Sequence, residues 1–141
     1  IKDRVLHTRD IGFQYQGELY FFARKDDVLV VGGQNIAPDD IESCAEQQGG
    51  VTPGSAVLID VPGATPGKIE LVLLVEPPRG LSDEDVDTRK RALQSAIYAE
   101  SGVLVNRVVF AARNALEKTS SGKKRRRIIR ERFLNASLPL R

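Results

Sequence analysis

Residues 55–75 read SAVLIDVPGATPGKIELVLLV. Two runs rich in Val, Leu and Ile flank Pro62-Gly63-Ala64-Thr65-Pro66-Gly67, a segment built for turning. Short apolar runs bounded by Gly and Pro signal buried strands. We therefore expect a strand over 55–61, a return strand over 69–75, and an antiparallel hairpin with a long loop between them. A third core strand is expected over 107–111.

Helices should cover this sheet. Downstream, Ser82 with Asp85 three residues on is a capping-box-like start. The helix behind it should bury Val86, Leu93, Ala96 and Ile97, keep Arg89, Lys90 and Arg91 largely outward, and stop at Ser101-Gly102. Upstream, Pro38 suits a first helical position, and Asp39, Asp40 and Glu42 favour a helix N-terminus. Ile41, Ala45 and Gln48 share a face of that helix, and Gly49-Gly50 should end it. A polar loop over 114–124 precedes a weakly amphipathic last helix carrying Ile128, Ile129, Phe133 and Leu134.

Nearer the start, residues 17–23 read as a strand and 28–31 as a second. Arg24-Lys25-Asp26-Asp27 connects them tightly. Gly32-Gly33-Gln34-Asn35 reads as a flexible loop, and residues 1–16 as irregular. The sum is an α+β architecture: a small β-ribbon, then a roughly three-stranded sheet flanked by two or three helices. Crossovers are too few for a doubly wound nucleotide fold.

Composition excludes several classes. One cysteine, Cys44, forbids an internal disulfide, and with a single His no structural zinc set or other metal site is expected. The longest apolar run, 71–75, is far too short to span a bilayer, and no signal peptide is visible, so a cytoplasmic protein is expected. An opening Ile1 and the absence of Met lead us to expect a segment cut from a longer polypeptide. Net charge is +2, yet 118–132 holds eight basic residues against Glu131 alone, leaving −5 for the remainder. A basic nucleic-acid or protein-docking module is the reading from another class. No aromatic is interleaved before Phe133, so base stacking lacks its platform and no nucleic-acid partner is expected.

Three segments carry chemistry: Thr8-Arg9-Asp10-Ile11-Gly12, then ARKDDVLVVGGQNIAPDDIE over 23–42, then Lys118-Thr119-Ser120-Ser121-Gly122-Lys123. The last is no Walker A loop, because Glu117 and Lys124 stand where that loop needs Gly and Ser or Thr. In order and spacing the three resemble the late motifs of the adenylate-forming superfamily, which includes acyl-CoA synthetases, fatty acyl-AMP ligases and amino-acid adenylation domains. The resemblance covers about the whole chain and implies the C-terminal lid domain of such an enzyme. Residues 1–27 would be its opening segment, strand and hinge, and 28–141 the lid domain. The large N-terminal adenylation domain is absent, so the fragment alone should be inactive.

The resemblance implies a role for each matching residue. Lys123 is similar to the catalytic lysine that bridges the substrate carboxylate and the phosphate. A carboxylate attacking a polyphosphate brings two anions together, and a fixed ammonium offsets their repulsion. Asp10 resembles the aspartate that binds the adenylate ribose hydroxyls, and Arg24 the arginine that contacts the nucleotide. Asp26 sits at the hinge position. Gly32 and Gly33 align with the loop that admits a phosphopantetheine acceptor, where missing side chains let backbone pass close. ATP and Mg would be bound mainly by the missing domain. Partners would be that domain and an acyl carrier protein or polyketide synthase carrier domain, or CoA.

Pro38-Asp39-Asp40-Ile41-Glu42, Gly17-Glu18-Leu19-Tyr20 and the stretch 50–55 favour a fatty acyl-AMP ligase over an acyl-CoA synthetase, the alternative. Four positions depart from the family pattern: Arg9 and Ala23 replace glycines, Glu117 a proline, and Lys124 an aliphatic residue. They bear on loop geometry and remove none of the contacting side chains.

Overall fold

The computed structural model describes residues 8–48 and 51–141. The chain divides into two compact units, Ile1–Ala37 and Pro38–Arg141.

The first unit holds two ribbons. In one, β1 (Asp10–Tyr15) pairs antiparallel with β2 (Glu18–Arg24). Gln16 and Gly17 join them, both at positive φ, as a tight hairpin turn requires. Residues 10–15 thus form a strand where an irregular start is expected. The reason lies in the period-two placing of Ile11, Phe13 and Tyr15, which suits a pleated partner; Phe13 stacks on Tyr20 at 5.2 Å between ring centroids. Gly12 stands at a bulge, where a Cβ would lie 2.5 Å from the Tyr20 carbonyl oxygen, so only glycine fits. Residues 1–7 of the expected irregular start lie outside the described residues.

The second ribbon is β3 (Leu29–Val31) against β4 (Gln34–Ile36). The expected loop over 32–35 shrinks to Gly32-Gly33, at φ +58° and +77°, and Gln34 and Asn35 belong to the return strand. Two consecutive left-handed residues make the hairpin turn that matches strand twist. Between the ribbons, the amides of Asp27 and Val28 both donate to the Arg24 carbonyl, closing a tight turn over the charged connection.

The second unit is a three-stranded mixed sheet in the order β5 (Ala56–Pro62), β6 (Ile69–Val75), β7 (Arg107–Phe110). β5 and β6 form the expected antiparallel hairpin, with Ala56 opposite Val75 and Pro62 opposite Ile69. β6 and β7 run parallel and need a crossover, which α2 (Val86–Ser101) supplies. The Ser82 hydroxyl and Asp85 carboxylate meet at 2.6 Å one turn before α2, and Gly102, at φ +68°, ends it with its amide on the Tyr98 carbonyl. α1 (Pro38–Gln47) starts at the expected proline; Gly49-Gly50, its expected stop, lie outside the described residues. α3 (Arg126–Leu134) closes the unit.

Central β6 is buried continuously from Leu71 to Val75, so both sheet faces are covered. Val57, Ile59, Val61, Val72 and Leu74 form one face of the core with Ile129 and Leu138. Leu58, Leu71 and Leu73, of the opposite parity, are equally buried. α1 and α3 pack on β5, α2 on β7, and α1 against α2. On α2, Leu93 and Ile97 are fully buried as expected, while Val86 and Ala96 are half-buried. No described helix is long and apolar enough to cross a membrane.

Candidate functional site

Of the eight cations of 118–132, Lys118, Lys123, Arg125 and Arg127 are exposed and the other four half-buried. Six are tied into ion pairs: Lys124, Arg125, Arg126, Arg127, Arg130 and Arg132. Arg130 grips Asp60 on β5, its Nε 3.0 Å from the carboxylate and 2.7 Å from the backbone carbonyl. Arg125 and Arg132 both pair with Glu117. Within the block, Lys118 and Lys123 alone have no ion pair among the described residues. Three of these cations, Lys124, Arg126 and Arg130, fasten α3 and its leading loop to the sheet and α1.

Lys123 sits in a loop whose base is closed by an antiparallel bridge between Lys118 and Lys124. Inside it, the Thr119 amide donates to the Lys123 carbonyl at 2.8 Å, and the Lys123 amide donates to the Thr119 hydroxyl at 3.0 Å. The Gly122 amide donates to the Thr119 carbonyl, and the Thr119 and Ser121 hydroxyls meet at 2.9 Å. Gly122 takes φ +82°, a conformation that a residue with a Cβ adopts only at a cost of about 1–2 kcal/mol. The Lys123 residue itself is exposed. Four short-range contacts thus fix the backbone of an outward-facing, unpaired ammonium.

Behind the loop lies a buried charge network. Glu42, 1% exposed on α1, accepts from the Leu58 amide at 2.7 Å, from Lys124 Nζ at 2.7 Å and from Arg126 Nη1. Lys124 Nζ reaches Glu46 as well, at 3.2 Å, and Arg126 donates to the Leu58 carbonyl at 2.9 Å and to Asp39 at 3.2 Å. Sequence reasoning treats Glu42 as a helix-terminus acid and Lys124 as a departure. The four-residue spacing of Glu42 and Glu46, which puts both on one helix face, was the available signal.

In the ribbon unit, Asp10 and Arg24 are direct cross-strand partners, with the guanidinium Nε 3.6 Å from the carboxylate. The ribbon pairing therefore brings the two expected nucleotide-binding side chains together. Asp26 lies in the turn that ends β2 and takes an ion pair from Arg9 at 2.9 Å. Arg9 occupies the position where the family pattern has glycine, and its φ is +64°, in the region glycine favours. Gly32 and Gly33 form the β3–β4 tip, with open space where a Cβ would stand. Lys123 belongs to the other unit.

Cys44, on α1, is buried and donates to the Glu100 carboxylate at 3.1 Å. Burial, then the Glu100 hydrogen bond and charge, push its thiol up to about 11. It is not a nucleophile at neutral pH.

No protein-family model matches the chain. A 4-hydroxyphenylalkanoate adenylyltransferase of Mycobacterium marinum is 36% identical over 133 residues, covering 92% of this chain and 21% of the relative. A long-chain-fatty-acid–AMP ligase of Mycobacterium tuberculosis is 36% identical over 126 residues, covering 86% of this chain and 21% of the relative. Among solved structures, one from a study of fatty acyl-adenylate ligases from E. coli and L. pneumophila superposes with a TM-score of 0.73 at 30% identity, over 93% of this chain and 22% of that one. This chain spans only about a fifth of the length of these relatives. Fold, motif order and relatives together place it in the adenylate-forming superfamily, as a C-terminal domain. A fatty-acid–AMP ligase and a hydroxyphenylalkanoate adenylyltransferase match it at the same 36% identity.

Proposed function

We propose that the chain is the mobile C-terminal domain of an ATP-dependent fatty acyl-AMP ligase. It supplies Lys123 for acyl-adenylate formation, then turns about Asp26 for acyl transfer to a phosphopantetheine thiol. The observation that carries this reading is the exposed Lys123, without an ion pair among the described residues, on a hydrogen-bonded loop whose following cations, Lys124 and Arg125, are held by carboxylates.

In the first half-reaction a carboxylate oxygen attacks the α-phosphorus of ATP, and pyrophosphate leaves. Negative charge accumulates on two groups that repel each other. A cation about 4 Å from such an oxyanion contributes about 1 kcal/mol in water and about 4 kcal/mol at protein-like dielectric, so a closed cleft multiplies its effect. Lysine offers a compact point charge that can face both oxygens at once. In the second half-reaction the thiol sulfur attacks the acyl carbon and AMP leaves. Gly32 and Gly33 would let the pantetheine arm pass close to backbone. Asp10, with two acceptor oxygens, suits the two ribose hydroxyls, and Arg24 beside it suits the nucleotide.

Among the described residues no group of three His, Cys, Asp or Glu side chains could hold a metal ion. As the family resemblance implies, Mg and most ATP contacts are assigned to a large N-terminal adenylation domain. The acceptor is assigned to a carrier protein or a polyketide synthase carrier domain. The competing reading of 118–132 as a nucleic-acid surface is weakened, since Lys124, Arg126 and Arg130 are turned inward onto carboxylates of α1 and β5.

The test is fatty-acid-dependent exchange of pyrophosphate into ATP by the complete enzyme, followed by acyl transfer to a phosphopantetheinylated carrier protein or to CoA. Exchange with fatty acids and preferential loading of the carrier are expected. Absence of exchange with every fatty acid would refute the reading, and preferential loading of CoA would move it to the acyl-CoA synthetases.

A further inference from the structure

We infer that Lys124 is a positioning residue for Lys123, holding the loop in register through an ion-pair clamp on α1. The inference rests on the reading of Lys123 as the adenylation lysine.

Lys124 takes part in the bridge that closes the loop, so its backbone is extended. Neighbouring side chains on extended backbone point to opposite sides. Lys124 is drawn inward, its side chain 19% exposed and its Nζ 2.7 Å from Glu42 and 3.2 Å from Glu46. Lys123 must then face out. The hydrogen bonds between Thr119 and Lys123 leave the loop little freedom to reverse that choice. A slip of one residue would bury Lys123 against the carboxylates and turn Lys124 to solvent.

The surroundings explain why a charged residue stands where the family pattern has an aliphatic one. Glu42 and Glu46 are 1% and 16% exposed and face two cations, Lys124 and Arg126. An aliphatic residue at 124 would leave two largely buried carboxylates against one guanidinium. Lys124 is thus matched to Glu46, which otherwise has only the Ala56 amide, at 3.3 Å. When both partners of a buried pair are replaced together by apolar residues, the cost is small; when one is removed alone, a buried charge is stranded.

The test uses the complete enzyme and measures its two half-reactions separately. Lys124→Glu sets like charges together and should expel the side chain, lowering acyl-adenylate formation about 100-fold, the scale of a misplacement of about 1 Å. Transfer from preformed acyl-adenylate should stay close to the parental rate. The double variant Lys124→Leu/Glu46→Leu should recover most of the lost adenylation. If the reversal does not fold, Lys124→Met repeats the comparison without added charge. Equal losses in both half-reactions would reduce Lys124 to a stability role, and unchanged adenylation would remove its positioning role; either result overturns the inference. Lys123→Ala runs alongside: if that variant adenylates normally, it is the assignment of Lys123 that fails.

Discussion

Replacing Glu42 by Gln should strongly destabilise the Pro38–Arg141 unit. The carboxylate is 1% exposed and holds three donors: the Leu58 amide, Lys124 and Arg126. Glutamine keeps one oxygen for the Leu58 amide but removes the negative charge from between two cations. Their side chains are 19% and 15% exposed. Lys124 would keep Glu46 alone, and Arg126 would keep the Leu58 carbonyl and Asp39, whose side chain is 85% exposed. Removing one member of a buried pair costs about 3–5 kcal/mol, and the retained hydrogen bond places Glu42→Gln near the lower end, at about 3 kcal/mol. That is a large share of the roughly 5–15 kcal/mol that holds a domain folded. It corresponds to a fall in melting temperature of about 10–15 °C for a unit of this size. The assay is urea unfolding of the full chain followed by far-UV circular dichroism, since α1, α2 and α3 all lie in this unit. A loss below about 1 kcal/mol, the range of exposed surface pairs, would refute the claim that Glu42 is the hub of the network.

Three further outcomes follow from the same geometry. Gly122→Ala should destabilise the loop by about 1–2 kcal/mol, because φ +82° is strained for any residue with a Cβ, and should slow adenylation more than acyl transfer; an unchanged unfolding curve would contradict it. Arg9→Gly should leave stability within about 1 kcal/mol of the parent, since relief of the left-handed backbone offsets the loss of an exposed pair with Asp26; a larger loss would give that pair unexpected weight. The thiol of Cys44 is pushed up from 9.0 to about 11, so the folded state holds its proton where the unfolded state releases it. Its contribution, on the order of 2–3 kcal/mol, should be complete below pH 9 and fade between pH 9 and 11 as pH rises. Cys44→Ala should flatten that limb of the stability profile, and an identical limb in the variant would exclude the thiol as its source.

The core was legible because its signal is local. The apolar runs around the Pro62–Gly67 turn gave β5 and β6, and Ile69–Val75 matches the observed strand residue for residue. Pro38 marked the start of α1, and Gly102 the end of α2. β1 was hidden for the opposite reason. Its alternation of Ile11, Phe13 and Tyr15 is interrupted by Gly12 at a bulge, and its strand character depends on β2. The turn role of Gly32-Gly33 was visible, while Gln34–Ile36 is short and polar enough to read as loop until its partner is known. In the candidate site, the motif pointed to Lys123, but the fate of its neighbours could not be read. Lys124 meets Glu42 across 82 positions of sequence, and Arg126 meets it across 84. Nothing in a local window separates such partners from a solvated cationic run. The departure at Lys124 is explained only by the acids that the fold sets behind it.

The most direct measurement is the pair of half-reaction rates for Lys123→Ala in the complete enzyme. Acyl-adenylate formation should fall by orders of magnitude, while hydrolysis or thiolysis of supplied acyl-adenylate proceeds at close to the parental rate. Adenylation at the parental rate, or a matching collapse of both steps, would contradict the account.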